Sequence, residues 1–327
     1  MPDHTINWGI LGPGIISTDF AKDLEAVPDA KIAAVGSRDL DRAKSFANTF
    51  NIPNAYGSYQ ALVADPDVDI IYIGTPPRFH KDHTLLSLNA GKHVLCEKPF
   101  AINAAEAEEM ITTARQKGLF LMEAMWSRYL PVLVKVRQLI AEGAIGKIRM
   151  VQADFGFRTD VNPEGWLFNL NLGGGALLDA GIYPLSLAHM ILGTPDRITS
   201  IADLGSTGVD EQTAVILGYD SGEIALLSAA IRTNTPREAT IVGTDGWIRI
   251  NRTWFATDSL TLNSDGKEET IPCPLVGNGL HYEAVEVEDC IRSGKIESDI
   301  MPLDETLALM KIMDQIRSQI GLKYPME

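Results

Sequence analysis

A short apolar run followed by a glycine-rich turn is the feature that most constrains how this chain can fold. Residues 6–11 form an apolar strand candidate, and residues 12–17 read GPGIIS. An amphipathic stretch follows, and residues 31–37, KIAAVGS, supply a second strand candidate. A strand, a helix and a second strand in this order form a βαβ unit, in which the two strands pair in parallel. The sequence therefore predicts a parallel sheet covered by helices in this part of the chain.

The glycine-rich turn is also a candidate binding site for a dinucleotide. Its two glycines allow a tight turn and the close approach of a pyrophosphate, which the amides at the start of the next helix would bind. The third glycine of the usual fingerprint is replaced by Ser17. An ordinary connection between a strand and a helix is the alternative. On the dinucleotide interpretation, the residues of this turn that contact the cofactor are Gly12, Gly14, Ile15 and Ile16.

The end of the second strand indicates which dinucleotide is bound. Sites for NAD usually place an acidic residue there, which holds the 2′-hydroxyl of the ribose. This chain has Ser37 and Arg38 instead, with Arg42 one helical turn further on. A guanidinium group suits a 2′-phosphate, so the pattern predicts NADP(H). The alternative is a solvated arginine, with Asp39 as a helix N-cap rather than a ribose ligand.

Four further apolar runs extend the predicted sheet, at residues 55–57, 70–74, 93–97 and 119–123. The run at 93–97 ends on Glu97 and is followed by Lys98 and Pro99, and the proline stops the ladder because it has no N–H group. Open α/β sheets bind ligands at the carboxyl ends of their strands. A partly buried ammonium group there would polarise a hydroxyl and lower the pKa of a neighbouring acid. A surface pair of charges is the alternative.

The run at 70–74 is followed by Thr75, Pro76 and Pro77, with His80 close behind. A backbone made rigid by two prolines would form one wall of a nicotinamide pocket. Thr75, Pro76 and His80 are therefore candidate cofactor contacts. An ordinary rigid turn explains the same residues equally well.

The sequence pattern changes near Trp126. Pro131 opens a helix, and strands linked by short turns follow from Lys147 onward. Three of these turns carry hairpin signals, at residues 220–222, 244–246 and 264–266. We therefore predict a dinucleotide-binding domain over residues 1–125 and a domain for substrate binding and dimerisation over residues 126–327.

A glycine-rich segment stands out in the second domain. Residues 173–175 are three consecutive glycines, which let the backbone pack closely against a neighbour or move. Pro184 must lie in the first turn of the following helix, because it would break the helix further along. Asp179 and Tyr183 are four residues apart, so both can face the same side of that helix. An N-cap aspartate and a half-buried tyrosine are the alternative.

Charge and composition exclude several classes of function. The 327-residue chain has a net charge of −15, which argues against a nucleic acid or an anionic membrane as partner. Its 3 cysteines are widely spaced and its 6 histidines show no ligand spacing, so we expect neither disulfides nor a metal site. The first residues lack the pattern of a signal peptide and no run reaches transmembrane length. We therefore expect a cytoplasmic protein.

Several segments together resemble the glucose–fructose oxidoreductase/inositol dehydrogenase family, in particular its dihydrodiol dehydrogenase and NADP-dependent xylose dehydrogenase branch. The resemblance covers nearly the whole chain, and the pairing of EKP with D-x-G-x-Y is its most specific part. With the patterns above, it predicts an α/β fold: an N-terminal Rossmann domain with a doubly wound parallel sheet, and a C-terminal α+β domain with a large, mostly antiparallel open sheet. The segments that carry it are 37–44, 55–59, 96–99, 119–128, 173–184 and 282–294.

The resemblance also implies roles for individual residues. It implies that Lys98, Asp179 and Tyr183 form the catalytic group beside the nicotinamide, and that Arg38 and Arg42 meet the 2′-phosphate. The cofactor set that follows is Gly12, Gly14, Ile15, Ile16, Ser37, Arg38, Arg42, Thr75, Pro76, His80, Glu97, Lys98, Trp126 and Arg128. The substrate set is Lys98, Trp126, Phe155, Asp179 and Tyr183, with Phe79, Phe157 and Phe168 as further aromatic candidates.

The predicted function is an NADP-dependent dehydrogenase or reductase that acts on a sugar or a cyclic diol. Tyr183 would exchange the proton of the reacting hydroxyl, with Lys98 as its cationic neighbour and Asp179 as a positioning group. Two alternatives remain. One is an enzyme on the same scaffold that uses its nucleotide transiently to cleave a glycosidic bond, and the other is an NADP-sensing regulator without turnover.

A homodimer is predicted from the run at residues 223–231, EIALLSAAI. This run is apolar at both strand parities, so each face of the strand needs a cover. Helices of the same domain would cover one face, and the sheet of a second copy would cover the other.

Overall fold

The computed structural model describes residues 5–327 and divides into two compact units. Unit 1 runs to Trp126 and also includes Gly277–Leu307, while unit 2 consists of Ser127–Val276 and Ala308–Glu327. The first boundary lies one residue from the predicted one. The predicted second domain was continuous over residues 126–327, whereas in the structure residues 277–307 belong to unit 1.

Unit 1 contains a six-stranded sheet. Every neighbouring pair of strands in it is parallel, and the strand order is β3-β2-β1-β4-β5-β6. This is the order of a doubly wound sheet, and its ligand crevice lies where the order reverses, at the carboxyl ends of β1 and β4. The strands are Ile6–Leu11 (β1), Ala30–Gly36 (β2), Asn54–Tyr56 (β3), Ile70–Ile73 (β4), His93–Glu97 (β5) and Leu121–Ala124 (β6).

Helices connect these strands as the sequence predicts. The four residues of β4 are all buried, as expected for a strand with helices on both faces. The last of the five helices begins at an Asn103 cap and ends at Gly118, whose φ of 62° only a glycine adopts readily. The helices are Ile15–Leu24 (α1), Leu40–Phe50 (α2), Tyr59–Val63 (α3), His80–Asn89 (α4) and Ala104–Lys117 (α5).

Unit 2 contains an eight-stranded sheet in the order β14-β13-β12-β11-β7-β10-β9-β8. Strands β7 and β10 pair in parallel, and every other neighbouring pair is antiparallel. The three predicted hairpins are confirmed, because each predicted turn joins two antiparallel neighbours. The strands are Ile148–Gly156 (β7), Arg197–Leu204 (β8), Asp210–Gly218 (β9), Ile224–Ala230 (β10), Ala239–Gly243 (β11), Gly246–Ile250 (β12), Ser259–Ser264 (β13) and Lys267–Pro272 (β14).

Four more helices complete the chain: Pro131–Ala141 (α6), Ile182–Leu192 (α7), His281–Arg292 (α8) and Leu303–Ile320 (α9). A π-helical turn, Leu177–Gly181, runs directly into α7. The stretch Leu170–Leu192 is long and apolar enough to span a membrane by length and composition, but 78% of its most apolar window is buried inside the protein. This is the burial of a core helix: α7 contacts β7 and β10 of the eight-stranded sheet, and Leu185 lines a small cavity together with Val215 and Leu227.

Helix α8 belongs to unit 1 although it follows the strands of unit 2. The indole Nε1 of Trp8 on β1 donates to Oε1 of Glu288 on α8 at 2.9 Å. The carboxylate of Asp23 accepts from the backbone N of Asn278 at 3.1 Å and of Leu280 at 2.8 Å. These buried hydrogen bonds explain why the segment returns to unit 1, a contact that no local sequence pattern indicates.

Candidate active site

The glycine-rich turn after β1 is shaped by close backbone packing. Gly12 has a φ of 92°, and a Cβ atom there would lie 2.7 Å from Cγ2 of Thr75. Ser17 is fully buried, and its hydroxyl donates to the carbonyl of Gly12 at 2.7 Å. A Cβ atom on Gly74 would lie 2.1 Å from that hydroxyl. The serine therefore stands in for the third glycine, because Gly74 on the neighbouring strand leaves room for it.

The start of helix α1 is suited to an anion. Gly14 is its N-cap residue and makes no side-chain cap, and the first turn contains no acidic residue. The amides of such a turn carry a partial positive charge that favours a phosphate. Ile15 in this turn is 85% exposed, an apolar surface that a bound nucleotide would cover. This geometry fits the pyrophosphate of a dinucleotide.

The residues after β2 favour a phosphorylated ribose. The carboxylate of Asp39 accepts from the amides of Asp41 at 2.9 Å and Arg42 at 3.3 Å, so it caps α2 as the alternative interpretation held. Arg38 and Arg42 are exposed, and Nη2 of Arg42 lies 3.4 Å from the carbonyl of Pro13 in the glycine-rich turn. Asp39 is therefore engaged in the helix cap rather than placed as a ribose ligand. The two exposed guanidinium groups fit a 2′-phosphate.

Aromatic rings join Arg38 to the turn after β4. The guanidinium of Arg38 lies 5.8 Å from the ring centroid of Phe79, which stacks on His83 at 5.8 Å. Nδ1 of His83 lies 3.0 Å from the hydroxyl of Thr75. Burial lowers the pKa of His83 to about 4, so this imidazole is neutral, and its tautomer sets whether Nδ1 donates to the hydroxyl of Thr75 or accepts from it. Ser37 is buried beside this group, and its hydroxyl accepts from the amide of Asp39.

The Lys98 turn, residues 97–100, is held by buried carboxylates. Oε2 of Glu97 accepts from the amide of Lys98 at 3.1 Å, and its Oε1 accepts from the hydroxyl of Tyr72 at 2.5 Å. Oε1 of Glu123 accepts from the amide of Phe100 at 3.1 Å. Lys98 itself is half-buried, and its peptide bond to the following proline is cis. Glu97 therefore supports the turn from inside the protein, and its predicted contact with the cofactor stays a prediction.

His80 links the Lys98 turn to the turn after β4. Its Nδ1 lies 2.8 Å from the carbonyl of Pro99, and its Nε2 lies 2.7 Å from the carbonyl of Thr75. Burial, the largest cause, lowers the pKa of His80, against hydrogen bonds to the backbone that raise it. A neutral imidazole has one N–H group, so it donates to one of these carbonyls at a time. The structure shows a supporting role, and contacts of His80 and Pro76 with the cofactor stay predictions.

In unit 2, Asp179 and Tyr183 lie where a π-helical turn meets α7. Asp179 is within the turn Leu177–Gly181 and half-buried, and Tyr183 is the second residue of α7. Pro184 follows at once, in the first turn of α7 as predicted. A proline cannot donate to the carbonyl four residues before it, and the wider π-helical turn accommodates this loss.

An aromatic cluster surrounds the ring of Tyr183, which is 5% exposed. The ring of Phe155 meets it edge-on at 5.3 Å, and the ring of Phe255 lies 5.2 Å away. Phe155 and Phe255 stack on each other at 3.9 Å. Sequence reasoning missed Phe255, since it lies in a short turn far along the chain with no motif around it. Phe168, a substrate candidate, is instead 2% exposed within a hydrophobic core cluster.

Arg128 supports the helix that carries Tyr183. Its guanidinium is buried and donates through Nε to the hydroxyl of Ser186 at 2.8 Å, and through Nη2 to the carbonyl of Ser186 at 2.9 Å. Nη1 of Arg137 donates to the carbonyl of Arg128 at 2.7 Å. These two hydrogen bonds to Ser186 fix the orientation of α7, the helix that carries Tyr183. Cofactor contacts of Arg128 and of the half-buried Trp126 stay predictions.

Gly175, the last of the three glycines at 173–175, packs against a buried acid, and Gly174 packs against the backbone of Trp166 and Leu167. Gly175 has a φ of 129°, and a Cβ atom there would lie 2.2 Å from Oδ1 of Asp210. Oδ2 of Asp210 accepts from the amide of Leu177 at 2.7 Å and from the hydroxyl of Thr213 at 2.6 Å. The hydroxyl of Tyr324 donates to the carbonyl of Gly174 at 2.9 Å. Asp210 thus anchors the start of the helical segment that carries Asp179 and Tyr183.

Two family models match this chain. Residues 6–125 match an oxidoreductase family with an NAD-binding Rossmann fold, and residues 133–249 match the GFO/IDH/MocA C-terminal domain. The trans-1,2-dihydrobenzene-1,2-diol dehydrogenase of Mus musculus is 40% identical to the chain over 334 residues, which cover 98% of the chain and 99% of the relative. The chain belongs to the GFO/IDH/MocA oxidoreductase family. The family and the fold class predicted from the sequence are confirmed.

Other members of the GFO/IDH/MocA family agree over similar lengths. The trans-1,2-dihydrobenzene-1,2-diol dehydrogenase of Xenopus tropicalis is 41% identical and covers 97% of the chain and 99% of the relative. Among solved structures, an aldose–aldose oxidoreductase from Caulobacter crescentus has a TM-score of 0.89 at 26% identity. A 3-ketoreductase from Actinomadura kijaniata, in complex with NADP and TDP-benzene, has a TM-score of 0.87 at 26% identity. Both alignments cover 97% of this chain and 98% of the other.

We expect Asp210 to make the stability of this protein depend on pH. Burial raises its pKa to about 7, against hydrogen bonds that lower it, whereas an aspartate in an unfolded chain titrates near ~3.9. The folded protein therefore holds a proton that the unfolded chain has lost, and stability should fall as the pH rises from about 4 to about 7. The full effect is roughly 4 kcal/mol.

Urea unfolding of Asp210→Asn between pH 4 and pH 8 measures this effect. The variant is neutral throughout, so its free energy of unfolding should change less with pH than that of the wild type. Asp203→Asn, at an exposed position on β8, is the control and should keep the wild-type dependence. Equal pH dependence of Asp210→Asn and wild type would show that Asp210 does not titrate in this range.

Proposed function

We propose that this protein is an NADP(H)-dependent dehydrogenase or reductase that interconverts a hydroxyl and a carbonyl on a cyclic diol or a sugar. The observation that carries the proposal is the setting of Tyr183, a nearly buried phenol packed by Phe155 and Phe255. A phenol is able both to give and to accept a proton, and the aromatic faces beside it suit the ring of a cyclic substrate.

The relatives support the choice of substrate and cofactor. Those at about 40% identity over nearly the whole chain are named as trans-dihydrodiol dehydrogenases, and the ketoreductase structure contains NADP. In this chain Arg38 and Arg42 stand where they fit a 2′-phosphate, since Asp39 is used as a helix cap. We therefore place trans-dihydrodiols first and aldoses second as substrates, with NADP(H) as cofactor.

The chemistry divides between the cofactor and the residues of the chain. When bound, the nicotinamide supplies the acceptor or donor for hydride. Tyr183 exchanges the proton of the reacting hydroxyl. A free tyrosine titrates near ~10, so it needs a cation to act as a base near neutral pH, and Lys98 is that cation in this proposal. Asp179 orients the substrate hydroxyl or the ammonium group, and Trp126 and Phe155 contact the substrate.

The two alternative functions predict different outcomes for one assay. A trans-dihydrodiol and a panel of aldoses are supplied with NADP⁺, and NADPH is followed by its absorbance. The proposed function requires NADPH to accumulate in proportion to the substrate consumed. An enzyme that cleaves glycosidic bonds with transient use of its nucleotide forms no net NADPH, and a sensor binds NADP⁺ without turnover.

We also propose a cytoplasmic location and small-molecule ligands, rather than nucleic acid or a membrane. The cysteines Cys96, Cys273 and Cys290 are free thiols buried in the fold, which suits a reducing compartment. The net charge of −15 opposes binding to polyanions.

Arg38→Ala should weaken the binding of NADP⁺ much more than that of NAD⁺. A hydrogen bond to a charged group contributes roughly 1.5–3 kcal/mol, which corresponds to about a 10- to 150-fold rise in the Kd for NADP⁺. Titration of both cofactors by fluorescence measures the two constants. Lys44→Ala, an exposed position on helix α2, which begins just after Arg38, is the control and should change neither constant. Equal losses for both cofactors would show that Arg38 has a structural role.

Tyr183→Phe should leave NADPH binding nearly unchanged while turnover falls about 10²–10⁴-fold, the usual contribution of general acid–base catalysis. The substitution keeps the ring contacts with Phe155 and Phe255 and removes only the hydroxyl. Lys98→Met should cause similar damage, with residual activity that needs a higher pH, because Tyr183 would recover a more ordinary pKa. The double variant should be little worse than either single one.

The matched control is Tyr219→Phe, which removes a buried hydroxyl from the same unit, bonded to the carbonyl of Gly193. It should reduce stability without a comparable loss of turnover. Near-normal turnover of Tyr183→Phe would assign the proton transfer to another group.

We propose that the protein is a homodimer that pairs through the open face of the eight-stranded sheet. Strands β9 and β10 alternate between buried and more exposed residues, and β8 alternates between half-buried and exposed ones. On the exposed face Ile201 is 73% exposed, Ile216 50%, Ile224 41% and Leu226 37%, and Ile216 pairs directly with Leu226. A continuous apolar face of this kind needs a cover, and a second copy presents a matching one.

Sedimentation at micromolar concentration tests the dimer. The wild type should sediment as a dimer, and Ile216→Arg should yield monomers because it places a charge in the centre of the apolar face. Val134→Arg is the control, since Val134 is 47% exposed on helix α6, away from the sheet. A monomeric wild type would contradict the proposed interface.

A further inference from the structure

The segment that follows α9 in unit 2 makes a buried contact that the proposed reaction does not yet use. Tyr324 in this segment is 0% exposed, and its hydroxyl donates to the carbonyl of Gly174 at 2.9 Å. A buried phenol usually finds an acceptor, so a hydrogen bond by itself requires no special role. The place of this acceptor is informative, because Gly174 comes just before the helical turn that carries Asp179.

The peptide group between Gly174 and Gly175 is held at both of its polar atoms. Its carbonyl accepts from Tyr324, and its N–H group, the amide of Gly175, donates to the carbonyl of Leu167 at 2.9 Å. The next carbonyl, that of Gly175, accepts from the amide of Asp179 at 3.3 Å. Only the φ and ψ angles of Gly175 separate these two peptide groups. A rotation of the first group would therefore displace the acceptor of the Asp179 amide.

This stretch of backbone cannot be made rigid by its own side chains. Gly173 and Gly175 have φ angles of 81° and 129°, and a Cβ atom on Gly174 would lie 2.5 Å from the carbonyl oxygen of Leu167. Glycine is thus required by the packing, although it has the greatest backbone freedom of any residue. Donors and acceptors from distant parts of the chain must supply the restriction that side chains would otherwise give.

Tyr324 is itself held in place, so it is a fixed donor. The guanidinium of Arg317 on α9 lies 5.1 Å from the ring centroid of Tyr324. Nη1 and Nη2 of Arg317 donate to the two carboxylate oxygens of Glu327 at 2.7 and 2.8 Å, a bidentate pair. Oε2 of Glu327 also accepts from the amide of Tyr324 at 3.0 Å. Burial, the largest cause, raises the pKa of Tyr324 well above its ordinary value, so the hydroxyl keeps its proton.

We propose that Tyr324 is a positioning residue, whose hydroxyl fixes the Gly174–Gly175 peptide group and, through it, the helical turn that carries Asp179 and leads into Tyr183. This role rests on the proposed function only in taking Asp179 and Tyr183 as groups that act on substrate. A role in stability alone would need the buried ring and any acceptor, whereas positioning needs the hydroxyl on this carbonyl.

Tyr324→Phe separates the two roles, because it keeps the ring beside Arg317 and removes only the hydroxyl. We expect kcat with NADP⁺ and a trans-dihydrodiol to fall about threefold to tenfold, on the order of one hydrogen bond. The Kd for NADP⁺ should change by less than about twofold, because the glycine-rich turn and Arg38 that are proposed to bind it belong to unit 1.

The matched control is again Tyr219→Phe. It also removes a buried hydroxyl from the carbonyl of a glycine, but that glycine, Gly193, lies at the opposite end of α7. It should lower the free energy of unfolding and keep the wild-type kcat. The same kcat in Tyr324→Phe and Tyr219→Phe would overturn the proposal.

Hydrogen–deuterium exchange gives a measurement that does not depend on turnover. Peptides that cover residues 173–179 should exchange faster in Tyr324→Phe than in the wild type, because the amides of Gly175 and Asp179 lose the support of the fixed peptide group. Tyr219→Phe should leave their exchange unchanged. Wild-type exchange in Tyr324→Phe would overturn the proposal, and so would faster exchange with an unchanged kcat.

The exchange experiment also keeps this role distinct from the proposed function. If the wild type oxidises no substrate, the proposed function fails, while exchange still decides whether Tyr324 fixes the glycine segment. Should Tyr324→Phe not fold, Glu327→Gln replaces it, since it weakens the ion pair that holds Arg317 beside the tyrosine. That variant should speed exchange at residues 173–179 and lower kcat together, and wild-type values of both would contradict the proposal.

Discussion

The hydrogen bonds from the amides of Lys98 and Phe100 to the buried carboxylates of Glu97 and Glu123 are the interaction on which the site in unit 1 depends. They hold the backbone of the turn at the carboxyl end of β5, the turn that carries Lys98. His80 connects the same turn to the one after β4. Two neighbouring strand ends of the parallel sheet are therefore joined by side chains that themselves lie inside the protein. The cost of burying these polar groups is offset only because nearly every one of them has a partner.

Unit 2 orients its candidate catalytic residue by a similar principle. Asp210 holds the start of the helical segment, Gly175 fits closely against it, and Arg128 binds Ser186 one turn after Tyr183. The phenol ring is then packed between aromatic rings. Lys98 and Asp179, two of the groups proposed to act on substrate, are half-buried, whereas Tyr183 and the groups that position all three are buried. This separation agrees with the general need for a rigid support beneath a reactive group.

Much of the fold could be predicted because its signals are local. The helix at 104–117 and the three hairpins follow from periodicity and turn residues within a few positions of each other. The site was predicted less completely. Lys98, Asp179 and Tyr183 stood out through motifs, but Phe255 and Asp210 did not, since each is a single residue in an otherwise ordinary turn or strand. His80 and Arg128 were predicted to contact the cofactor, and only the structure shows the hydrogen bonds by which each supports the site from inside.

The sequence by itself determined the order of strands and helices, the glycine turn and the replacement of a ribose-binding acid by arginine, because each depends on the chemistry of neighbouring residues. Only the tertiary structure decided that residues 277–307 return to unit 1, that Gly74 makes room for Ser17, and that two buried carboxylates hold the Lys98 turn. Those features join residues far apart along the chain. Their energies come from burial and from hydrogen bonds that exist only once the chain is folded, so no local pattern records them.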